Sequence, residues 1–462
     1  CTTPCQRSCP AGIDIREYIR QISLGNFHRS VQVIKERNPF PAIIGRICPR
    51  PCELDCRRNF IDEPVAINYR ERFAAAFERQ SGERILRLGH RVTVYDANPK
   101  LGGLLRSAIA RERLPEDILD WDIEGILEMG VEAETGTVMG KDFTLNTLLR
   151  QGVDAVFLAS GGWDSRMVRK SVMDIESPIP GTYMMVDLLS LAGKDREMFT
   201  CPPEVTIFGG GKLALEAAKI CRESGAEKIT LLYREDLQHS AISDADVEIL
   251  GAEGLDIWYD TAIQCLRGEE DRLVELDTVN IKTRETTTIT AQNLIIATGR
   301  FPELIFIESK SEESENGDPG DRPLRWEAAT PYKQPAFKDE VGLFAEGDVM
   351  ADYSAAIKAI GAGRRAAASL QQMMYGIEPS LTEHVITPQS FVQNVDQVES
   401  VTACQRQIMP LCSGQELAAC GEIERGFNGE MARAEASRCL QCGLICYEQF
   451  AGNEERKNAV VP

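Results

Sequence analysis

The sequence has no uninterrupted apolar run of eighteen residues and no basic leader running into an apolar stretch and a small-residue cleavage site. It therefore shows neither a membrane-spanning helix nor a secretory signal. Excess positive charge is also missing. The 51 Lys and Arg stand against 71 Asp and Glu, a formal charge of −20, which argues against the clustered cations that displace counterions from phosphates and so against a nucleic-acid partner. There is no Gly-x-Ser-x-Gly elbow, no His-Glu-x-x-His pair and no paired acid and base, so hydrolytic chemistry has no support and no catalytic side chain is assigned. The first residue is Cys1 rather than Met, from which we expect residues upstream. With 462 residues the chain is long enough for two or three domains with cores of their own.

Cysteine is abundant instead. The chain has 15, bunched toward its two ends, unlike the spread framework of a disulfide-rich secreted protein, and this points to cofactor-ligating thiolates in a reducing cytoplasm. Six of them form two triplets, Cys1, Cys5 and Cys9 followed by Pro10, and Cys48, Cys52 and Cys56. Cys5-x3-Cys9-Pro10 is the closing signature of a ferredoxin-type motif, whose last cysteine ligates a different iron–sulfur cluster from its predecessors. Two [4Fe–4S] clusters need more ligands than these six thiols, so the rest are non-thiol or lie before Cys1. Zinc is the alternative, but it usually takes Cys-x2-Cys knuckles or histidine, and only His28 and His90 are near. Cys439-x2-Cys442-x3-Cys446 has cluster spacing too, with Cys404, Cys412 or Cys420 as a fourth ligand; a tail with incidental thiols is its alternative. Cys201, Cys221 and Cys265 read as small core residues.

Between the cysteine-rich ends the pattern alternates. Ile15, Tyr18, Ile19 and Ile22, then Val31, Val33 and Ile34, recur at helical spacing around a Gly25-Asn26 break. A further helix is expected over residues 62–79. Residues 91–96 form a strand closing on Asp96, the ribose-binding acid of a Rossmann unit. The Gly-x-Gly-x-x-Gly turn that should precede it is absent, since only Gly82 lies between Phe77 and Ile85. Helices are expected over 115–129 and from Leu145, and strands near 131–134 and over 153–158, the last running into Gly161. A second nucleotide unit is complete: a strand over 205–208, the turn Gly209, Gly210, Gly211 and Ala214, a helix over 213–222 and a strand over 228–233. The helix N-terminus in that turn offers unpaired N–H groups to a pyrophosphate; a ligand-free glycine turn is the alternative. Arg234 would favour a 2′-phosphate and Glu235 a free 2′-hydroxyl, so NAD(H) and NADP(H) both stay open, with a lean to NAD(H). Residues 294–300 repeat the strand-to-glycine pattern at Gly299, and Gly347-Asp348 fits an acid bonding a ribityl chain or a capped turn. A loop is expected over 309–323 and an Ala-rich helix from Ser354 to Met374.

In combination these pieces resemble the glutamate synthase small-subunit family and its relatives, the large subunit of NADH-dependent ferredoxin:NADP oxidoreductases and dihydropyrimidine dehydrogenase. The landmarks are residues 9–14 (Cys-Pro-Ala-Gly-Ile-Asp), 38–41 (Asn-Pro-Phe-Pro), 45–49 (Gly-Arg-Ile-Cys-Pro), 101–106 (Leu-Gly-Gly-Leu-Leu-Arg), 113–115 (Arg-Leu-Pro), 209–211, 347–348 and 438–443 (Arg-Cys-Leu-Gln-Cys-Gly). The resemblance implies an α/β protein in which an N-terminal helical iron–sulfur domain precedes two interleaved Rossmann-like domains for FAD and NAD(P), followed by a C-terminal cysteine-containing tail. Expected boundaries are 1–78 for the [4Fe–4S] domain, 79–200 and 301–376 for the FAD domain, 201–300 for the NAD(P) domain and 377–462 for the tail. It implies one cluster on Cys1, Cys5 and Cys56 and another on Cys9, Cys48 and Cys52, with Glu71 a candidate non-thiol ligand. The flavin site would draw on Asp96, Gly102, Gly103, Leu104, Arg106, Gly161, Gly299, Gly347 and Asp348. The family's pyrophosphate turn before residue 91 is what this sequence departs from; retention of Asp96, Gly102, Gly103 and Asp348 favours an intact flavin site.

The expected function is an oxidoreductase subunit that moves electrons among NAD(P)H, FAD and [4Fe–4S] clusters, two N-terminal with a further C-terminal one under consideration. Its partners would be other electron-transfer or catalytic subunits of a hetero-oligomeric complex, with electron bifurcation left open. The alternatives are a flavin-less scaffold that relays electrons and a zinc-stabilised nucleotide-binding regulator.

Overall fold

A computed structural model of the chain describes residues 3–82, 91–159, 179–185, 201–209, 211–234, 236, 254–297, 304–309, 323–329, 354–375, 390–392, 401–414, 416–442 and 447–449. The chain divides into two compact units, one of Cys1–Gly136, Met350–Arg364 and Thr382–Pro462, the other of Thr137–Val349 and Arg365–Leu381.

The first unit opens with six helices: α1 (Pro4–Arg7), α2 (Ile15–Ser23), α3 (Phe27–Lys35), α4 (Pro41–Ile47), α5 (Pro51–Leu54) and α6 (Ile67–Ser81). Local chemistry sets their ends. The Asp14 carboxylate accepts the Glu17 amide at 3.1 Å and caps α2. Gly25 adopts φ +78° to separate α2 from α3, and Pro41 and Pro51 occupy the first turns of α4 and α5, where a missing N–H costs nothing. The helix expected from Asp62 begins instead at Ile67, because Asp62 is occupied in an ion pair with Arg58 at 2.7 Å and Pro64 disfavours helical backbone before it. The apolar faces of α2, α3 and α6 meet in one core, with Tyr18, Ile19, Ile22, Ile34 and Ala74 all but inaccessible. The Tyr18 hydroxyl donates to the Ile67 carbonyl at 2.9 Å, which satisfies it inside that core. Helices α4 and α6 touch at Gly45, where a Cβ would lie 2.7 Å from the Arg72 Cα.

Strand β1 (Thr93–Asp96), helices α7 (Gly103–Ser107) and α8 (Glu116–Leu127) and strand β2 (Glu132–Thr135) follow. The two strands pair in parallel, Asp96 opposite Thr135, so this is the expected βαβ crossover. Strand β1 is largely exposed, however, since β2 is its one partner among the described residues and no Gly-rich strand–turn precedes it. Buried Asp122 of α8 accepts the Ile43 amide near the start of α4 at 2.9 Å.

The second unit comprises α9 (Leu145–Arg150), β3 (Val156–Leu158), β4 (Thr182–Met184), β5 (Glu204–Phe208), α10 (Gly211–Glu223), β6 (Lys228–Leu232), β7 (Leu255–Trp258), β8 (Thr261–Glu269), β9 (Arg272–Asn280), β10 (Thr286–Thr290), β11 (Leu294–Ile296), β12 (Leu304–Glu308) and β13 (Arg325–Ala329). Five strands make a parallel sheet in the order β4-β11-β5-β6-β7. Its near-continuous apolar runs are what a parallel sheet covered on both faces requires. A six-stranded antiparallel sheet, β10-β9-β8-β13-β12-β3, packs around buried Trp326 and Phe306. Helix α11 (Ser354–Met374) has the expected extent.

The C-terminal part adds β14 (Ser390–Val392), antiparallel to β15 (Tyr447–Gln449), and helices α12 (Leu417–Cys420) and α13 (Gly429–Ser437). This segment closes on the N-terminal helices through ions. Glu422 holds the Arg46 guanidinium in a two-pronged pair, 2.9 Å on each arm, and accepts Arg72 at 2.6 Å. Glu424 takes the other arm of Arg72 at 2.8 Å. Burial pulls the Arg72 guanidinium down to about 10, against the pull of the two glutamates.

Candidate metal centre and nucleotide-binding turn

The N-terminal helices are short because the chain must return repeatedly to deliver cysteines. Cys9 follows α1, Cys48 ends α4 and Cys52 lies in α5. All three are buried. With Glu71 of α6 they line a small pocket whose other walls are apolar apart from Asn68, including Ile13, Tyr18 and Ile44. The turn that swings from Cys48 to Cys52 holds Arg50 at φ +66°, an unusual conformation for a side-chain-bearing residue. It aims the Arg50 amide at the Cys48 sulfur, 3.4 Å away.

Electrostatics follow from burial. Burial pushes the Cys48 thiol up to about 12, helped by the Glu71 carboxylate and opposed by the Arg50 amide. It raises Cys9 and Cys52 as well, with Glu71 adding to the first and Cys9 to the second. Glu71 itself is raised to about 7 by burial although Asn38 donates to it at 2.7 Å. A buried set of three thiols and a carboxyl that is costly to ionise unaided fits a cationic metal group, whose charge stabilises thiolates and whose binding expels their protons. Among the described residues no three His, Cys, Asp or Glu side chains converge as a single ion demands. Thiolates around one zinc would stand about 4 Å apart, whereas those of a cubane cluster sit at separate corners.

Cys5 and Cys56 lie half-buried at the edge of the same core, and Cys439 packs there with them. Burial raises Cys5 to about 12, and Cys439, Cys56 and Cys442 push it further. The C-terminal cysteines thus stand beside the N-terminal pair, a placement that sequence spacing could not show. Cys412 and Cys420 are bonded to each other, which removes both from the candidate ligands. Cys404 is exposed. Cys1 and Cys446 lie outside the described residues.

In the second unit the expected strand and helix on either side of the turn are in place. Strand β5 runs into buried Gly209, whose amide donates to the Leu232 carbonyl of β6 at 3.2 Å. Here a Cβ would meet that of Ala297 at 2.8 Å, so glycine is what lets the turn pass under β11. Helix α10 starts at Gly211 and buries Ala214. Arg234 sits half-buried just past β6, while Gly210 and Glu235 lie outside the described residues.

Of the flavin-site candidates, Asp96 ends β1 and accepts the Asn98 amide at 2.8 Å. Gly102 and Gly103 both take positive φ, +118° and +46°, and Leu104 is exposed. Arg106 is engaged by its own neighbours, donating to the Leu101 carbonyl at 2.9 Å and to Glu116 at 2.6 Å, with Asp120 as a third partner. It shapes the loop that follows β1. Gly161, Gly299, Gly347 and Asp348 lie outside the described residues.

Residues 74–320, more than half the chain, match the family model for pyridine nucleotide-disulphide oxidoreductases, and the chain belongs to that family. Residues 1–83 match the model described as dihydropyrimidine dehydrogenase domain II, 4Fe-4S cluster. The NADP(+)-dependent formate dehydrogenase subunit beta of Moorella thermoacetica is 26% identical over 533 residues, covering 98% of this chain and 72% of that protein. The NADPH-Fe(3+) oxidoreductase subunit beta of Geobacter sulfurreducens is 28% identical over 517 residues, with 96% and 75% covered. The NAD-dependent dihydropyrimidine dehydrogenase subunit PreT of Salmonella typhimurium is 25% identical over 401 residues, with 80% and 91% covered. The fold class and the oxidoreductase reading of the sequence both hold: the chain is an NAD(P)H-dependent electron-transfer oxidoreductase with an iron–sulfur domain ahead of its pyridine-nucleotide region.

Proposed function

We propose that this chain is a cytoplasmic subunit that accepts hydride from NAD(P)H at a bound FAD and sends electrons singly through two [4Fe–4S] clusters toward a partner subunit. The observation that carries the reading is the buried cavity lined by Cys9, Cys48, Cys52 and Glu71, in the same chain as a complete strand–turn–helix for a dinucleotide. FAD, when bound, supplies the junction between two-electron and one-electron chemistry. The chain's own residues bind and position. The α10 N-terminus would take the dinucleotide pyrophosphate, and Arg234 stands where a 2′-phosphate would lie. Cys9, Cys48, Cys52 and Glu71 would hold one cluster, and Cys5 and Cys56 would contribute to the other. The apolar walls of the cavity keep water from the first. A partner subunit is supported by the relatives, which are themselves named as subunits, and no described helix is long and apolar enough to cross a membrane.

Anaerobically purified protein is expected to contain flavin and iron with matching sulfide, and to be bleached by NADH or NADPH. Iron with no flavin would turn the assignment to the scaffold reading, which the missing glycine turn before β1 favours. Zinc in place of iron would end both.

A further inference from the structure

Beyond electron transfer, and without resting on it, we propose that Cys412 and Cys420 are a reversible thiol–disulfide modification site, whose oxidised form locks two glutamates onto the helices around the inner pocket of Cys9, Cys48, Cys52 and Glu71. The two cysteines are 8 residues apart and bonded to each other, whereas every other described cysteine is free. One bond in a chain whose other described thiols are unbonded is the pattern of redox sensing rather than of a stapled secreted fold. Cys420 is exposed and Cys412 half-buried. A dithiol reductant therefore reaches the bond, and exposed disulfides are the labile ones.

The bond is the main tie within its own loop. Helix α12 has 4 residues, too few to persist alone. Glu416 accepts the Ser413 amide at 3.1 Å and its hydroxyl at 2.9 Å, and pairs with Arg425 at 2.7 Å, but both partners of that ion pair are about half exposed, where such a pair contributes little. The Cys412 amide donates to the Ile423 carbonyl and the Arg425 amide to the Pro410 carbonyl, each at 2.8 Å, while the Ile423 amide reaches the Glu112 carbonyl at 3.1 Å. This is a short hairpin, and short hairpins are marginal in water. Its apolar side chains add little, since Leu411 and Ile423 are exposed. Closing a loop of 8 residues with a disulfide restricts its open forms on the order of fiftyfold.

What the loop carries is charge. Glu422 and Glu424 follow Cys420 closely, and Glu424 lies opposite Leu411, the residue before Cys412. Their carboxylates pair with Arg46 and Arg72, which are 5% and 3% exposed, and Arg113 approaches Glu424 at 3.4 Å. Arg46 stands just before Cys48 in the chain and Arg72 directly after Glu71; Arg72 is also where α6 touches α4, at Gly45. A buried guanidinium whose carboxylate withdraws is stranded, and its surroundings open to water. Reduction therefore loosens the hairpin, takes the two carboxylates off Arg46 and Arg72 more often, and lets α4 and α6 part beside the inner pocket. The exchange balances: a dithiol supplies two electrons and two protons, the Cys412–Cys420 bond becomes two thiols, and the reductant leaves as its own disulfide. A disulfide oxidant runs the same step backwards.

The test uses full-length protein purified without oxygen and equilibrated with oxidised and reduced dithiothreitol in stepped ratios. Samples are quenched in acid, alkylated and read by mass spectrometry, and hydrogen exchange is followed at the two ends of the series. Cys412 and Cys420 are expected to become alkylated together in one reversible step, and the amides of residues 410–424, α4 and α6 to exchange at least about tenfold faster in the reduced protein. Cys412→Ser/Cys420→Ser should exchange like the reduced parent at every ratio. Glu422→Gln/Glu424→Gln should exchange fast in α4 and α6 whatever the ratio, because the lock is gone while the bond remains. The comparison of oxidised with reduced parent decides even if a variant fails to fold. Thiols alkylated at every ratio, a bond that stays closed in excess reductant, or α4 and α6 amides indifferent to its opening would each overturn the assignment. So would a redox difference in α4 and α6 that persists in Glu422→Gln/Glu424→Gln.

Discussion

Replacing Arg438 by alanine should free the C-terminal segment from the N-terminal helices without disturbing the inner cavity. The side chain holds five acceptors, among them the Asp62 and Glu435 carboxylates and the carbonyls of Glu63, Pro64 and Cys404. Its loss leaves Glu435, which has no solvent exposure, without its counter-charge. Removing one partner of a buried pair costs about 3–5 kcal/mol because the other charge is stranded. Glu435 retains two backbone donors, Ala66 at 2.9 Å and Gln407 at 2.7 Å, which places the expected cost near 3 kcal/mol. At about 1.4 kcal/mol per factor of ten, local opening of residues 429–442 should become roughly a hundredfold more frequent. Hydrogen exchange of α13 amides in the anaerobic holoprotein reads this directly. Arg438→Lys should fall between, since one ammonium cannot serve both carboxylates and three carbonyls. A loss of protection below about tenfold in Arg438→Ala would refute the claim that this residue clamps the segment.

Other expectations follow from single contacts. Burial raises the Asp122 carboxyl to about 7, opposed by the Ile43 amide, Lys35 and Arg46 and aided by Glu78. Between pH 4 and 7 the folded chain therefore keeps a proton the unfolded chain has shed, so stability falls through that window and levels off above it. Glu71, raised to about 7 as well, adds a slope of the same sign, so Asp122→Asn should remove Asp122's share of it and be more stable at pH 8 by up to roughly 4 kcal/mol, as urea midpoints at pH 5 and 8 would show; an unchanged slope would contradict it. Gly45→Ala should destabilise the first unit by about 1–3 kcal/mol, because its methyl would fall 2.7 Å from the Arg72 backbone; a neutral urea midpoint would be the contrary result. Gly209→Val should weaken NADH and NADPH binding at least about tenfold by wedging the turn away from Ala297, with iron content unchanged; titration calorimetry decides. Arg70→Gln should make the cluster to which Cys5 and Cys56 contribute harder to reduce, since the Arg70 charge acts on Cys56 and a cation beside an anionic cluster favours the added electron, which a redox titration followed by EPR measures.

The helical repeat of Ile15, Tyr18, Ile19 and Ile22 was readable because α2 buries one face, and Gly25 marked its end because no other residue turns so readily at positive φ. The turn at Gly209 was equally plain, its residue types being dictated by the backbone approach of β11. What could not be read was pairing across hundreds of residues. Nothing in the spacing of Cys439 and Cys442 says that they face Cys5 and Cys56, because that proximity is made by Arg438, Glu435 and Arg58, charged residues that look like ordinary surface in sequence. The start of α6 differs for the same reason: Asp62, where the helix is expected to begin, is drawn off by Arg58 and Arg438. Arg106, a flavin-site candidate through the family resemblance, is held by Glu116 and Asp120, pairings that the sequence does not announce.

The clamp between Arg438 and Asp62 also sets an order of events in the cell. The two residues are 376 apart in the chain, and at about 5–20 residues per second a ribosome needs roughly 20–75 s to travel that distance. Cys9, Cys48, Cys52 and Glu71 have all emerged early, and the inner pocket can fold while translation proceeds. The seat formed by Arg58, Asp62 and the carbonyl of Glu63 waits, its charges in water, until α13 arrives. A nascent chain stalled before residue 438 would carry a finished inner pocket beside an open flank, and the closing of that flank would report that synthesis had passed residue 438.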